Sequence, residues 1–104
     1  MKKAGGYAYL VTSRKNTALY AGSTTDILRR TGEHKDRFYP RSFTARYNAD
    51  KLVWYHAYPT LREARQREAQ IKAGSRAKKE ALVNAMNPSW EDLFPRLLKE
   101  AEEG

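Results

Sequence analysis

Three stretches of this chain carry aromatic and β-branched residues without a helical period, and four carry apolar residues at helical spacing. Tyr7-Ala8-Tyr9-Leu10-Val11-Thr12 predicts a strand. Polar Arg14–Thr17 reads as a turn, and Ala18-Leu19-Tyr20-Ala21-Gly22 as a second strand, so the two form an antiparallel hairpin. Thr25 or Asp26 then caps a helix from Ile27 to about Lys35, which Gly32 weakens without breaking. The segment from Asp36 to Asp50 has no clear period and predicts a loop with at most one helical turn. Lys51–Tyr58 is a third strand, stopped by Pro59. Thr60 caps a helix over Leu61–Ala73 that Gly74 ends, and Ser75 caps another from Arg76 to about Met86. After the Asn87-Pro88 break, Ser89 is the expected cap of a last helix, with Glu91 and Asp92 in its first turn, a disturbance at Pro95 and fraying from Glu100. The order ββαβααα predicts an α+β fold, a small, mostly antiparallel sheet covered by helices.

Length and composition narrow this picture. A chain of 104 residues with 40% hydrophobic content suits one domain with one modest core. The expected division is a body over residues 1–92 and an acidic helical tail over 93–104. Absence of cysteine excludes disulfides, thiolate zinc sites and cysteine nucleophiles, and fits a cytoplasmic protein. No run approaches the roughly 18 apolar residues of a membrane span, and the N-terminus is a poor signal peptide. The net charge is +8. From Ser89 onward two basic residues face five acidic ones, a balance of −3 that leaves +11 on residues 1–88. Such a body attracts a polyanion, because phosphate contacts dominate nucleic-acid affinity.

Some residues resist a purely structural account. On the Leu61–Ala73 helix, Glu68 is seven residues from Leu61, four from Ala64 and three from Ile71, on the apolar face. Buried carboxylates need a partner. Glu68 is either a metal ligand in a cleft or one half of an ion pair with Arg65, Arg67 or Lys72. Arg30 and His34 are four apart on one helical face beside Ile27, as a phosphate clamp or as a solvated charged face. Tyr7, Tyr9 and Tyr20 are packing residues, or a phenol near a metal that acts as a base. Phe38, Tyr39, Phe43 and Tyr47, set among arginines, suit stacking on unpaired bases.

Together, Tyr7-Ala8-Tyr9, Tyr20-Ala21-Gly22, Arg30 eight residues later, His34, Glu68 and Ile71-Lys72 resemble the GIY-YIG endonuclease superfamily, over roughly Gly6 to Pro88. The resemblance is to its small stand-alone bacterial members. It implies a three-stranded antiparallel sheet flanked by helices, and hydrolysis of a phosphodiester bond with one divalent cation, Mg²⁺ or Mn²⁺. Carried over by residue, it implies that Glu68 binds the metal, Tyr20 is the general base, Tyr9 supports the water or phosphate, Arg30 stabilises the transition state, and His34 assists. Arg29, Lys35, Arg37, Arg41, Arg46 and Lys72 are the expected nucleic-acid contacts, with DNA as the expected partner in repair or recombination. Tyr7, Ala8 and Ala21 depart from the family's motifs, and Ser23 stands where some relatives carry a lysine thought to help activate tyrosine. Two other readings compete with a nuclease: a nucleic-acid-binding module with little turnover, and an interaction domain using Trp90–Leu98.

Overall fold

The computed structural model describes residues 4–35 and 49–103. Its elements are β1 (Gly6–Thr12), β2 (Leu19–Thr24), α1 (Ile27–Lys35), β3 (Lys51–Tyr58), α2 (Leu61–Ala73), α3 (Arg76–Met86) and α4 (Phe94–Glu103). This is the expected ββαβααα order and the expected α+β class. The strand order is β2-β1-β3, with β1 central and antiparallel to both neighbours. The hairpin turn passes through Asn16 at φ 58°, in the left-handed region that asparagine tolerates. Arg76 fastens that turn to α3, donating to the carbonyls of Asn16 at 2.7 Å and Thr17 at 2.9 Å.

The register sorts the side chains to two faces. Tyr9 lies opposite Gly22 and Val11 opposite Tyr20, whereas Ala8 lies opposite Ser23 and Leu10 opposite Ala21. Ala8, Leu10 and Ala21 join Val53, Trp54, Ile71 and Val83 in a core under α2 and α3. Tyr9 and Val11 join Ile27, Leu52, Leu93 and Leu97 in a second core, under α1 and α4. A bulge in β3 reconciles the two. Leu10 faces Trp54 but Val11 faces Leu52, so Val53 is an extra residue, and consecutive Val53 and Trp54 both enter the first core.

Local signals set most of the boundaries. Asp26 rather than Thr25 caps α1, its Oδ1 accepting from Arg29 N at 3.1 Å. Thr60 and Glu63 form a reciprocal capping box on α2, and Ser75 Oγ accepts from Lys78 N at the start of α3.

The last helix differs from its expectation. It begins at Phe94, and Asp92 rather than Ser89 serves its first turn, accepting from Phe94 N at 3.1 Å. The reason is long-range: Asp92 Oδ1 also accepts from Leu52 N at 3.2 Å, and its Oδ2 pairs with Lys35, which fixes this carboxylate between β3 and α1. Upstream, the chain turns at Pro88-Ser89, closed by Trp90 N donating to the Asn87 carbonyl at 2.9 Å, and the buried Asn87 amide braces the turn by donating to the Val53 and Glu91 carbonyls. Pro95 therefore falls in the first turn of α4, where a missing N–H costs nothing, and causes no disturbance. The helix runs to Glu103. Leu93 and Leu97 pack it into the second core. The expected loop lies outside the described residues over positions 36–48.

Candidate active site

The tyrosine face of the hairpin holds one half of the site. Tyr9 is on the central strand and 2% exposed. Its ring crosses Gly22 on the neighbouring strand, where a Cβ would lie 2.4 Å from the phenolic oxygen. Glycine at 22 is thus the space that Tyr9 occupies. The phenolic oxygen sits 3.0 Å from His34 Nε2 and accepts from Arg30 Nε at 3.4 Å. Arg30 Nη1 in turn donates to Glu33 Oε1 at 3.2 Å. The i, i+4 spacing of Arg30 and His34 brings both to this one oxygen. Burial pushes the Tyr9 phenol above its ordinary value, although Arg30 pulls it down. Burial, aided by the Arg30 charge, holds His34 at about 4. At neutral pH this half is an uncharged phenol and imidazole, with Arg30 as their cation. Because Arg30 can only donate, an O–H from Tyr9 to His34 Nε2 satisfies all three groups.

The other half stands on α2. Ala64 and Ile71 are buried, and Glu68 lies between them on the expected face, its side chain 19% exposed. Ser23 Oγ donates to Glu68 Oε1 across the edge of the sheet. Lys72 Nζ donates to Oε2 at 2.5 Å, so of the three bases weighed as ion-pair partners Lys72 is the one that pairs. The Glu68 bond raises the Lys72 ammonium above its usual value. Lys72 Nζ also lies 5.6 Å from the Tyr20 ring centre. Ser23 points to the α2 side of β2 and Tyr20 to the tyrosine side, so this bridge runs around the edge strand. Tyr9 stands within electrostatic reach of Arg30, Tyr20 and Glu68, which links the two halves.

The remaining expected residues divide. Arg29 is exposed on α1. The Lys35 ammonium donates to the Asp50 carbonyl at 2.9 Å, pairs with Asp92 and lies over Phe94, which ties α1 to the C-terminal segment. Arg37, Arg41 and Arg46, with Phe38, Tyr39, Phe43 and Tyr47, lie outside the described residues. Three contributors were not expected. Glu33 was legible as an i, i+3 partner of Arg30. Ser23 was not, being 45 residues from Glu68 with no local signal joining them. Gly22 was visible as a motif residue, but its steric reason was not. A groove of about 230 Å³ between α2 and α3, floored by Ile71 and Leu82 and rimmed by Arg67, Lys78 and Lys79, adds positive charge on the far flank of α2 from Glu68.

Among the described residues no group of three or more His, Cys, Asp or Glu side chains could enclose a metal ion. A single carboxylate suits a hard cation such as Mg²⁺, which commonly takes one or two carboxylates and completes its shell with water and substrate phosphate. No helix of the described residues is long and apolar enough to cross a membrane.

Comparison with known proteins bears on the family and the fold. The model of the GIY-YIG catalytic domain matches residues 5–81. A UPF0213 protein of Natronomonas pharaonis is 39% identical over 80 residues, 77% of this chain and 92% of its own. One from Syntrophus aciditrophicus is 37% identical, over 79% of this chain and 92% of its own. The solution structure of a UPF0213 protein from Bacillus halodurans superposes with a TM-score of 0.52 at 31% identity, covering 84% of this chain and 90% of that one. Matched by the family model over most of its length, the chain belongs to the GIY-YIG catalytic-domain family.

Proposed function

We propose that this protein is a metal-dependent endonuclease that hydrolyses phosphodiester bonds, with branched DNA as its preferred substrate. The observation that carries the reading is the meeting of Glu68, Lys72 and Tyr20 around β2, beside an arginine that Tyr9 and Glu33 hold in place. The Lys72 pair and the Ser23 bond keep this carboxylate compensated when no cation is present, and the Lys72 ammonium beside the Tyr20 ring brings it near a candidate base.

Glu68 would hold the divalent cation, with Ser23 orienting its carboxylate. When bound, the cation supplies charge neutralisation at the phosphate and at the leaving oxygen. Tyr20, on the edge strand, would take the proton of the attacking water as the phenolate, the form that a neighbouring bound cation favours. Tyr9 is too deeply buried to serve as that base, and its phenol instead positions Arg30. The Arg30 side chain, 32% exposed, donates to the phosphate oxygens as negative charge builds on them. His34 keeps the Tyr9 proton engaged and the inner end of the network neutral. Arg29 and the positive excess of residues 1–88 draw the backbone in.

The test is cleavage of a panel of single-stranded, duplex, branched and RNA substrates by the purified chain with Mg²⁺ or Mn²⁺. Metal-dependent products, strongest on branched DNA, are expected. Tight binding without turnover on every member would instead favour a nucleic-acid-binding module.

A further inference from the structure

Both oxygens of the Glu68 carboxylate are already taken, Oε1 by Ser23 and Oε2 by Lys72. Each oxygen keeps a further lone pair, but a divalent ion ligated to Oε2 would stand beside the Lys72 ammonium, 2.5 Å from that oxygen, and repel it. Ser23 is a short side chain on a strand whose register with β1 fixes its position. Lys72 is attached through a flexible four-carbon stem, and its side chain is 49% exposed. It is the partner able to leave. With the lysine side chain half exposed, solvent screens the pair, so its loss opposes a divalent ion only weakly. The Tyr20 ring, 5.6 Å from the ammonium, gives the released cation a second resting place.

We propose that Lys72 is an exchangeable internal counter-ion of Glu68, holding the carboxylate until a divalent cation displaces it. The lysine keeps a partly buried carboxylate compensated while the site waits, and it sets the threshold of metal concentration at which the site loads. This rests on the reading of Glu68 as the metal ligand. It predicts that Lys72 weakens metal binding, the reverse of a lysine that merely supports the site.

The experiment is titration of the full chain with Mn²⁺, followed by electron paramagnetic resonance of the free ion, with no nucleic acid present. Lys72→Met, neutral and of similar length, is expected to bind Mn²⁺ about two- to fivefold more tightly than the wild type. Lys72→Arg, which restores the charge, returns affinity to near the wild-type value, and Glu68→Gln abolishes binding. Unchanged or weaker binding by Lys72→Met, with Glu68→Gln still abolishing it, overturns the exchange and leaves the metal site standing. Binding indifferent to Glu68→Gln, or absent from the wild type and Lys72→Met alike, overturns the metal reading and the exchange with it.

Discussion

The two halves of the site are built in opposite ways. Around Tyr9 the phenol and the His34 imidazole are buried and uncharged, fixed by packing against Gly22 and by a shared hydrogen bond, with the part-exposed Arg30–Glu33 ion pair anchored on the same phenolic oxygen. Around Glu68 they are charged, partly exposed, and held by an ion pair with a flexible lysine. The difference teaches a division of labour. The buried half orients Arg30 and contributes to the stability of the fold, whereas the exposed half exchanges partners. Substitutions in the first should therefore disturb stability and activity together, and those in the second should disturb activity alone.

The largest effect that would sharpen this contrast belongs to the exposed half. Tyr20→Phe should lower single-turnover cleavage about 10²–10⁴-fold, the usual contribution of a general base, with no change in melting temperature. A variant that cleaves normally would move the base elsewhere. Gly22→Ala should act on the buried half, costing about 1–3 kcal/mol in denaturant unfolding, because its Cβ enters the space of the Tyr9 phenol. Cleavage should fall with it as Arg30 loses its anchor. Wild-type stability in that variant would show that Tyr9 can move aside freely.

A third test separates the halves by pH. His34 is held at about 4 in the folded protein against an ordinary 6.5. As pH falls below 6.5 the unfolded chain takes up this proton first, so native stability declines until about pH 4 and His34 contributes no further slope below that. The expected loss is on the order of 2 kcal/mol between pH 7 and 4, read from urea unfolding at each pH. His34→Gln should flatten that part of the profile, and an unaltered slope would remove His34 from the buried network. The smallest effect is expected for Ser23→Ala, which should slow cleavage about tenfold through loss of one hydrogen bond to a charged group, leaving stability unchanged.

How much of this was legible in the sequence follows from which interactions are local. The strands, the hairpin, and the caps at Thr60 and Ser75 depend on neighbours a few residues apart, and they were read correctly. The positions of Arg30 with His34, and of Glu68 between Ala64 and Ile71, follow from helical period in the same way. The Val53 bulge, the bond from Ser23 to Glu68, and the fixing of Asp92 by Leu52 and Lys35 join residues far apart in the chain. None has a local signature. Asp92 shows the consequence most clearly: Ser89 has the ordinary chemistry of a cap, but contacts made 40 residues away at Leu52 decide where α4 begins. Lys35 was read from the sequence as a nucleic-acid contact, and its bonds to Asp92 and to the Asp50 carbonyl, 57 and 15 residues away, have no local signature either.

The account claims that the two halves, though on opposite sides of β2, serve one reaction. The most direct test is Mg²⁺-dependent nicking of plasmid DNA by Arg30→Ala and Glu68→Gln, one substitution from each half, with circular dichroism confirming the fold. The account predicts that each variant alone loses cleavage by about 10²-fold or more while remaining folded. Wild-type nicking by either one would contradict it.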